Sequence, residues 1–143
     1  MSGSAGPEEI ILPSHLEMLD RVDAATLRCA RSVGFDDKTA TDVAIAVIEA
    51  VTNAIIHGNR FDDKKTVRVS YDCGENTLSI VVHDEGDGFD LCMIPDATDP
   101  GRHLACSGRG IFIMQQVMDD VEFEMAEGQG TTVRLTKRVG PKP

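Results

Sequence analysis

Basic residues are scarce in this chain. Fourteen Lys and Arg stand against 24 Asp and Glu, a formal net charge of −10 over 143 residues. That balance argues against a nucleic-acid binder, which needs a positive surface to displace counterions from phosphates. It also disfavours an anionic membrane surface, and leaves room for basic protein partners. No uninterrupted apolar run approaches the ~20 residues of a membrane span. The opening Met1-Ser-Gly-Ser-Ala-Gly-Pro7 has neither the charge nor the apolar core of a signal peptide. Any Cys-x-x-Cys spacing is missing too, since Cys29, Cys73, Cys92 and Cys106 are scattered. A domain of this size needs no staples, so these read as reduced thiols in a cytoplasm, and not as zinc ligands. There is no Walker lysine motif, no internal repeat, and no calcium-loop spacing among the acids of 84–90.

What is there suits one soluble globular domain, 41% hydrophobic and 27% charged. A chain of this length buries roughly 68–70% of its unfolded surface. Residues 1–8 read as a disordered lead, 9–138 as the domain and 139–143 as a loose tail. Glu9-Ile-Ile-Leu12, stopped by Pro13, suits an edge strand. Ser14 with Glu17 has the spacing of a capping box before an amphipathic helix, with Leu16, Leu19, Val22, Thr26, Cys29 and Val33 on one face. Gly34 ends it. A second helix starts among the acids near Asp36, is apolar almost all round, and closes at Gly58-Asn59, which makes it central. Two alternating strands follow over 66–71 and 78–82, joined at Gly74-Glu-Asn76. Residues 90–107 show no periodicity and read as a functional lid. A short helix from Ile111 to about Met118 and a last hairpin, 121–125 with 131–136, complete the chain.

Three polar residues recur at four-residue intervals along the second helix: Glu49, Asn53 and His57. At about 100° per residue they form one stripe among Val, Ile and Ala. Buried unpaired they would be costly, so either the protein or a ligand must supply partners. His57 beside Gly58 suits a helix-dipole partner better than a catalyst, and Asn53 could bond a neighbouring backbone. Glu49 has no such ready explanation. Two glycine-rich loops flank the lid. Asp84-x-Gly86-x-Gly88-Phe89 follows a strand, where an aspartate can accept from an exocyclic amine and glycines let a ligand approach the backbone. Ser107-Gly108-Arg109-Gly110 precedes a helix, whose free N–H groups favour a phosphate. Each motif alone also fits an ordinary turn. A Ser107/His57/Asp84 triad can be drawn, but Ser107 lacks a nucleophile-elbow context.

In order, the chain presents a helix with Glu-x-x-x-Asn, a strand ending in Asp-x-Gly-x-Gly-Phe, a lid, a Gly-x-Gly helix, and Gly130-Thr131 entering a strand. That combination resembles the GHKL ATP-binding fold of gyrase-type topoisomerases, heat-shock chaperones, sensor histidine kinases and mismatch-repair ATPases. Within it the chain is most similar to the small anti-sigma factors that are serine kinases. The likeness is carried by 49–58, by Met114 through Met118-Asp-Asp-Val121, and by Gly130-Thr-Thr-Val-Arg-Leu-Thr-Lys137.

The resemblance implies an α/β two-layer sandwich, a mostly antiparallel sheet covered on one face by three helices. It implies that Asn53 binds the Mg2+ bridging the ATP phosphates and that Glu49 is the general base. Asp84 would read the adenine amine, with Thr131 at the same end of the pocket, Gly86 and Gly88 in the first glycine loop, and Gly108 and Gly110 near the phosphates. Arg102 and Arg109 are the available cations for the γ-phosphate. His103-Leu-Ala-Cys106 departs from the family's charged lid ending in arginine and serine. By resemblance the protein is a cytoplasmic homodimer that phosphorylates an anti-anti-sigma protein and captures a sigma factor. A nucleotide-holding regulatory module without phosphoryl transfer is the alternative.

Overall fold

The computed structural model describes residues 8–86, 110–126 and 130–139. In chain order these form β1 (Glu8–Pro13), a 3-10 turn (Leu16–Met18), α1 (Leu19–Val33) and α2 (Asp37–Asn53), which runs on into a π-helical turn (Ala54–Gly58). Then come β2 (Thr66–Cys73), β3 (Thr77–Asp84), α3 (Gly110–Val117), β4 (Asp120–Ala126) and β5 (Gly130–Arg138). The five strands form one sheet in the order β1-β2-β3-β5-β4, and every neighbouring pair is antiparallel. The three helices pack together through α2, which contacts both α1 and α3, and the helical layer meets the sheet in a single core. This is the α/β two-layer class that the sequence implies.

Period-two alternation decides which side chains face the helices. On β2, Val67, Val69 and Tyr71 are buried while Arg68 is exposed. On β3 the buried set is Leu78, Ile80, Val82 and then Asp84. The same alternation that builds the core therefore turns a carboxylate inward at the last position of the strand. Asn76, with φ 67°, makes the tight turn between β2 and β3.

Several local expectations change. Ser14 does not cap a helix: the 3-10 turn begins after His15 without a side-chain cap, and Leu16 is exposed. Ser14 is instead fully buried, donating to the Lys65 carbonyl at 2.7 Å. Its hydroxyl satisfies backbone at the start of β2, a demand that outranks a cap available to water. Gly34 ends α1 as expected, with φ +117° and its N–H shared by the Ala30 and Arg31 carbonyls. Asp36 caps α2 by accepting from the Thr39 N–H at 2.8 Å. α2 is less enclosed than its composition implies, because Ile45 lies 46% exposed. With its π turn it runs 22 residues, and its most apolar 18-residue stretch has a mean hydropathy of 1.5, long and apolar enough to cross a membrane by length and composition. Here that apolarity faces the core, through Val43, Val47, Ala50, Val51 and Ile55.

Candidate functional site

The site is built where α2 ends against the exit of β3. Asp84 is buried, and its Oδ1 accepts the backbone N–H groups of Gly86 at 2.9 Å and Thr131 at 3.1 Å. Burial pushes its carboxyl above the usual carboxylate range, although the two N–H groups, His83 and Lys65 all pull it down. A buried carboxyl shifted in this way is a frequent mark of a functional position.

Three glycines wall this carboxylate. A Cβ on Gly58 would fall onto the Asp84 carboxylate itself, and one on Gly86 would strike the Gly58 carbonyl. A Cβ on Gly130, which has φ +84°, would strike the Asp84 carbonyl. Main chain from the end of α2, the loop after β3 and the start of β5 thus closes around one side chain. Thr131 joins the same cluster, 2% exposed.

Asn53, the last residue of α2, is 4% exposed, and among the described residues its Nδ2 has no hydrogen-bond partner. Such atoms are rare, because burying an amide unpaired costs roughly 1–3 kcal/mol. Turning the amide over exchanges Nδ2 for Oδ1, so the orphaned end can present a donor or an acceptor. It lies five residues before Gly58, whose backbone abuts Asp84. Glu49 is one helical turn earlier and half-exposed, not buried as the apolar sequence around it suggests. Among the described residues it forms neither a hydrogen bond nor an ion pair. His57 sits half-buried in the π turn, which winds wider than the α-helix before it.

Asn59, which the sequence marks only as a helix stop, holds the junction together. Its Nδ2 donates to the Ser14 hydroxyl and to the Thr66 carbonyl, both at 2.9 Å, and its Oδ1 accepts the Glu85 N–H at 2.8 Å. Glu85 returns the link, its Oε1 accepting the Thr66 N–H at 2.8 Å. One buried amide thereby ties the end of β1, the start of β2 and the loop after Asp84. The available signal was an asparagine directly after a helix-ending glycine, which also fits a plain cap.

Gly110 opens α3. Gly88, the lid, Arg102, Ser107, Gly108 and Arg109 lie outside the described residues.

An inward carboxylate at a strand end, walled by backbone and adjoined by a helix with an unpaired buried amide, marks the end of this α/β sandwich as its candidate site. The family profile described as Histidine kinase-like ATPase domain matches residues 12–137, and the chain belongs to that family. Such a domain binds ATP. The chain is 35% identical over 134 residues to an anti-sigma F factor of Heyndrickxia coagulans, covering 90% of this chain and 88% of that one. It is 30% identical over 143 residues to the serine-protein kinase RsbW of Bacillus velezensis, covering 96% and 88%. The fold is shared with a crystal structure of RsbU and RsbW domains from Mycobacterium tuberculosis, at TM-score 0.69 and 21% identity over 96% of this chain and 34% of that one.

Proposed function

We propose that this chain is an ATP-dependent serine-protein kinase that also acts as an anti-sigma factor, phosphorylating an anti-anti-sigma protein and sequestering a sigma factor in the cytoplasm as a homodimer. Relatives carrying both names at 30–36% identity support the activity. The observation that carries the site assignment is the pairing of Asp84 in its glycine wall with the orphaned amide of Asn53 on the adjoining helix.

Each residue then has a task. Asp84 accepts the exocyclic amine of adenine, held in place by the Gly86 and Thr131 N–H groups. Its desolvated setting strengthens that hydrogen bond relative to one in water. Gly58, Gly86 and Gly130 keep side chains out of the space next to it, and by the family resemblance Gly88 is assigned to the same glycine motif. Asn53 fits an oxygen ligand to Mg2+, because its buried amide lacks a partner and magnesium takes few protein ligands. The metal would neutralise phosphate charge. By the family resemblance, Gly108, Gly110, Arg109 and Arg102 are assigned to the phosphates, the glycines as backbone donors and the arginines as counter-charges. Glu49 lies one turn from Asn53 and is unengaged, so it can accept the proton of the incoming serine hydroxyl as that oxygen attacks.

Calorimetric titration with ATP and ADP, with and without magnesium, tests the reading. Asn53→Ala is expected to lose the magnesium-dependent part of ATP affinity. Glu49→Ala is expected to keep binding and lower phosphoryl transfer to the cognate serine protein by roughly 10²–10⁴-fold. No heat at millimolar nucleotide would overturn the binding assignment, and unchanged transfer by Glu49→Ala would overturn the base.

A further inference from the structure

At the far end of the sheet from Asp84, two thiols that the ATP site does not use stand together. Tyr71 is fully buried, and its hydroxyl meets the Thr26 hydroxyl of α1 at 2.7 Å. Cys29 follows Thr26 by three residues on the buried face of α1. Cys73 follows Tyr71 by two on β2, so it turns to the same face of the sheet. The α1–β2 contact therefore continues from the Thr26–Tyr71 pair to a Cys29–Cys73 pair, with Cys29 buried and Cys73 half-exposed at the rim. Glu8, opposite Tyr71 in the β1–β2 ladder, accepts from the Cys29 thiol at 3.6 Å.

We infer that Cys29 and Cys73 are a redox modification site, closing to a disulfide that staples α1 to β2 when the protein meets a hydroperoxide. The two positions have unequal chemistry, and that sets the order of events. Burial, then the adjacent Cys73 thiol and Glu8, push the Cys29 thiol up to about 12, so it stays protonated near neutral pH. Cys73, open at the rim, meets the oxidant first. Its thiolate attacks a peroxide oxygen, the O–O bond breaks, and water (or an alcohol) leaves, giving a sulfenic acid. Cys29 then attacks that sulfur: the S–S bond forms, the S–O bond breaks, and Glu8 takes the Cys29 proton and passes it to the departing hydroxide. Two thiols are oxidised and one peroxide is reduced, with a second water released.

Asp84 pairs with Val67, six residues along β2 from Cys73, so the staple lies about 20 Å from the nucleotide end of the sheet. It is thus expected to change stability and not ATP affinity. Crosslinking across this span should raise the melting temperature by about 10 °C.

The test treats the full reduced chain with a few equivalents of hydrogen peroxide, alkylates remaining thiols, and maps peptides without reductant. No Lys or Arg separates Cys73 from Cys92, so trypsin is combined with a protease that cuts after glutamate. Residues 29–31 linked to 69–75, with a loss of about 2 Da and a melting shift reversed by dithiothreitol, is the expected result. The Cys73→Ser protein should show neither the link nor the shift. Cys73 carried on to sulfinic acid with Cys29 still alkylatable would overturn the proposal. So would linkage of either thiol to Cys92 or Cys106, or an equal melting shift in Cys73→Ser.

Discussion

Asn59→Ala tests whether one buried amide sets the geometry of the candidate site. The side chain is 1% exposed and makes three hydrogen bonds of 2.8–2.9 Å, to Ser14, Thr66 and Glu85. Ser14 keeps its bond to the Lys65 carbonyl after the substitution, so its loss is small. The Thr66 carbonyl and the Glu85 N–H lose a buried partner, and a stranded group costs about 1–3 kcal/mol. The sum is about 2–6 kcal/mol, a large part of the ~5–15 kcal/mol that holds a domain of this kind together. At a mid-range m-value of ~2 kcal/mol/M, the urea midpoint should fall by about 1–3 M at constant slope. Asn59→Asp is the sharper comparison. It can still accept from Glu85 but turns an oxygen toward the Thr66 carbonyl, so it should fare no better than alanine. A loss below about 0.5 kcal/mol for Asn59→Ala, or near-complete recovery in Asn59→Asp, would refute the reasoning.

Two further substitutions probe the Asp84 cradle. Gly58→Ala should cost about 1–3 kcal/mol by overpacking, because its Cβ meets the Asp84 carboxylate. Denaturant melts should show that loss reduced in a Gly58→Ala/Asp84→Ala double variant, and an additive double variant would exclude the clash. Asp84→Asn keeps the Oδ1 acceptor and removes a carboxyl whose pKa burial raises. A raised carboxyl binds its proton more tightly folded than unfolded, so the native state loses stability as pH climbs from the ordinary aspartate value through the raised one. Urea midpoints should show wild type falling behind Asp84→Asn over that window and levelling above it, and parallel profiles would refute the assignment.

The fold was legible because its signals were strong and local. Val67-x-Val69-x-Tyr71 and Leu78-x-Ile80-x-Val82 alternate cleanly, and Gly34 has the chemistry of a left-handed stop. Less legible were features settled by partners far along the chain. Ser14 is 51 residues from Lys65 and 45 from Asn59, and nothing near it in sequence competes visibly with the cap it resembles. The half-exposure of Glu49 and of Ile45 depends on how far α1 and α3 reach around α2, which composition does not encode. The π turn is a third case. Its i→i+5 bonds wind the last turn wider than an α-helix, which a stripe drawn at constant pitch does not anticipate.

That turn also explains why stability and ligand geometry are coupled at this site. The wider winding ends with the Asn59 N–H on the Ala54 carbonyl at 2.8 Å and the Phe61 N–H on the Ile55 carbonyl at 3.0 Å. Arg60 and Phe61 then follow with φ of 54° and 60°, a left-handed pair without glycine. Residues other than glycine held there cost about 1–3 kcal/mol each, so their surroundings must over-determine the conformation. The surroundings that do so include the Asn59 amide and the packing of Gly58 on Asp84. Relaxing the turn to a regular α-helix would ease the strain, yet it would move Gly58 off the carboxylate and Asn59 off Glu85. The local strain at the end of α2 is therefore retained because the same residues fix the backbone that surrounds Asp84.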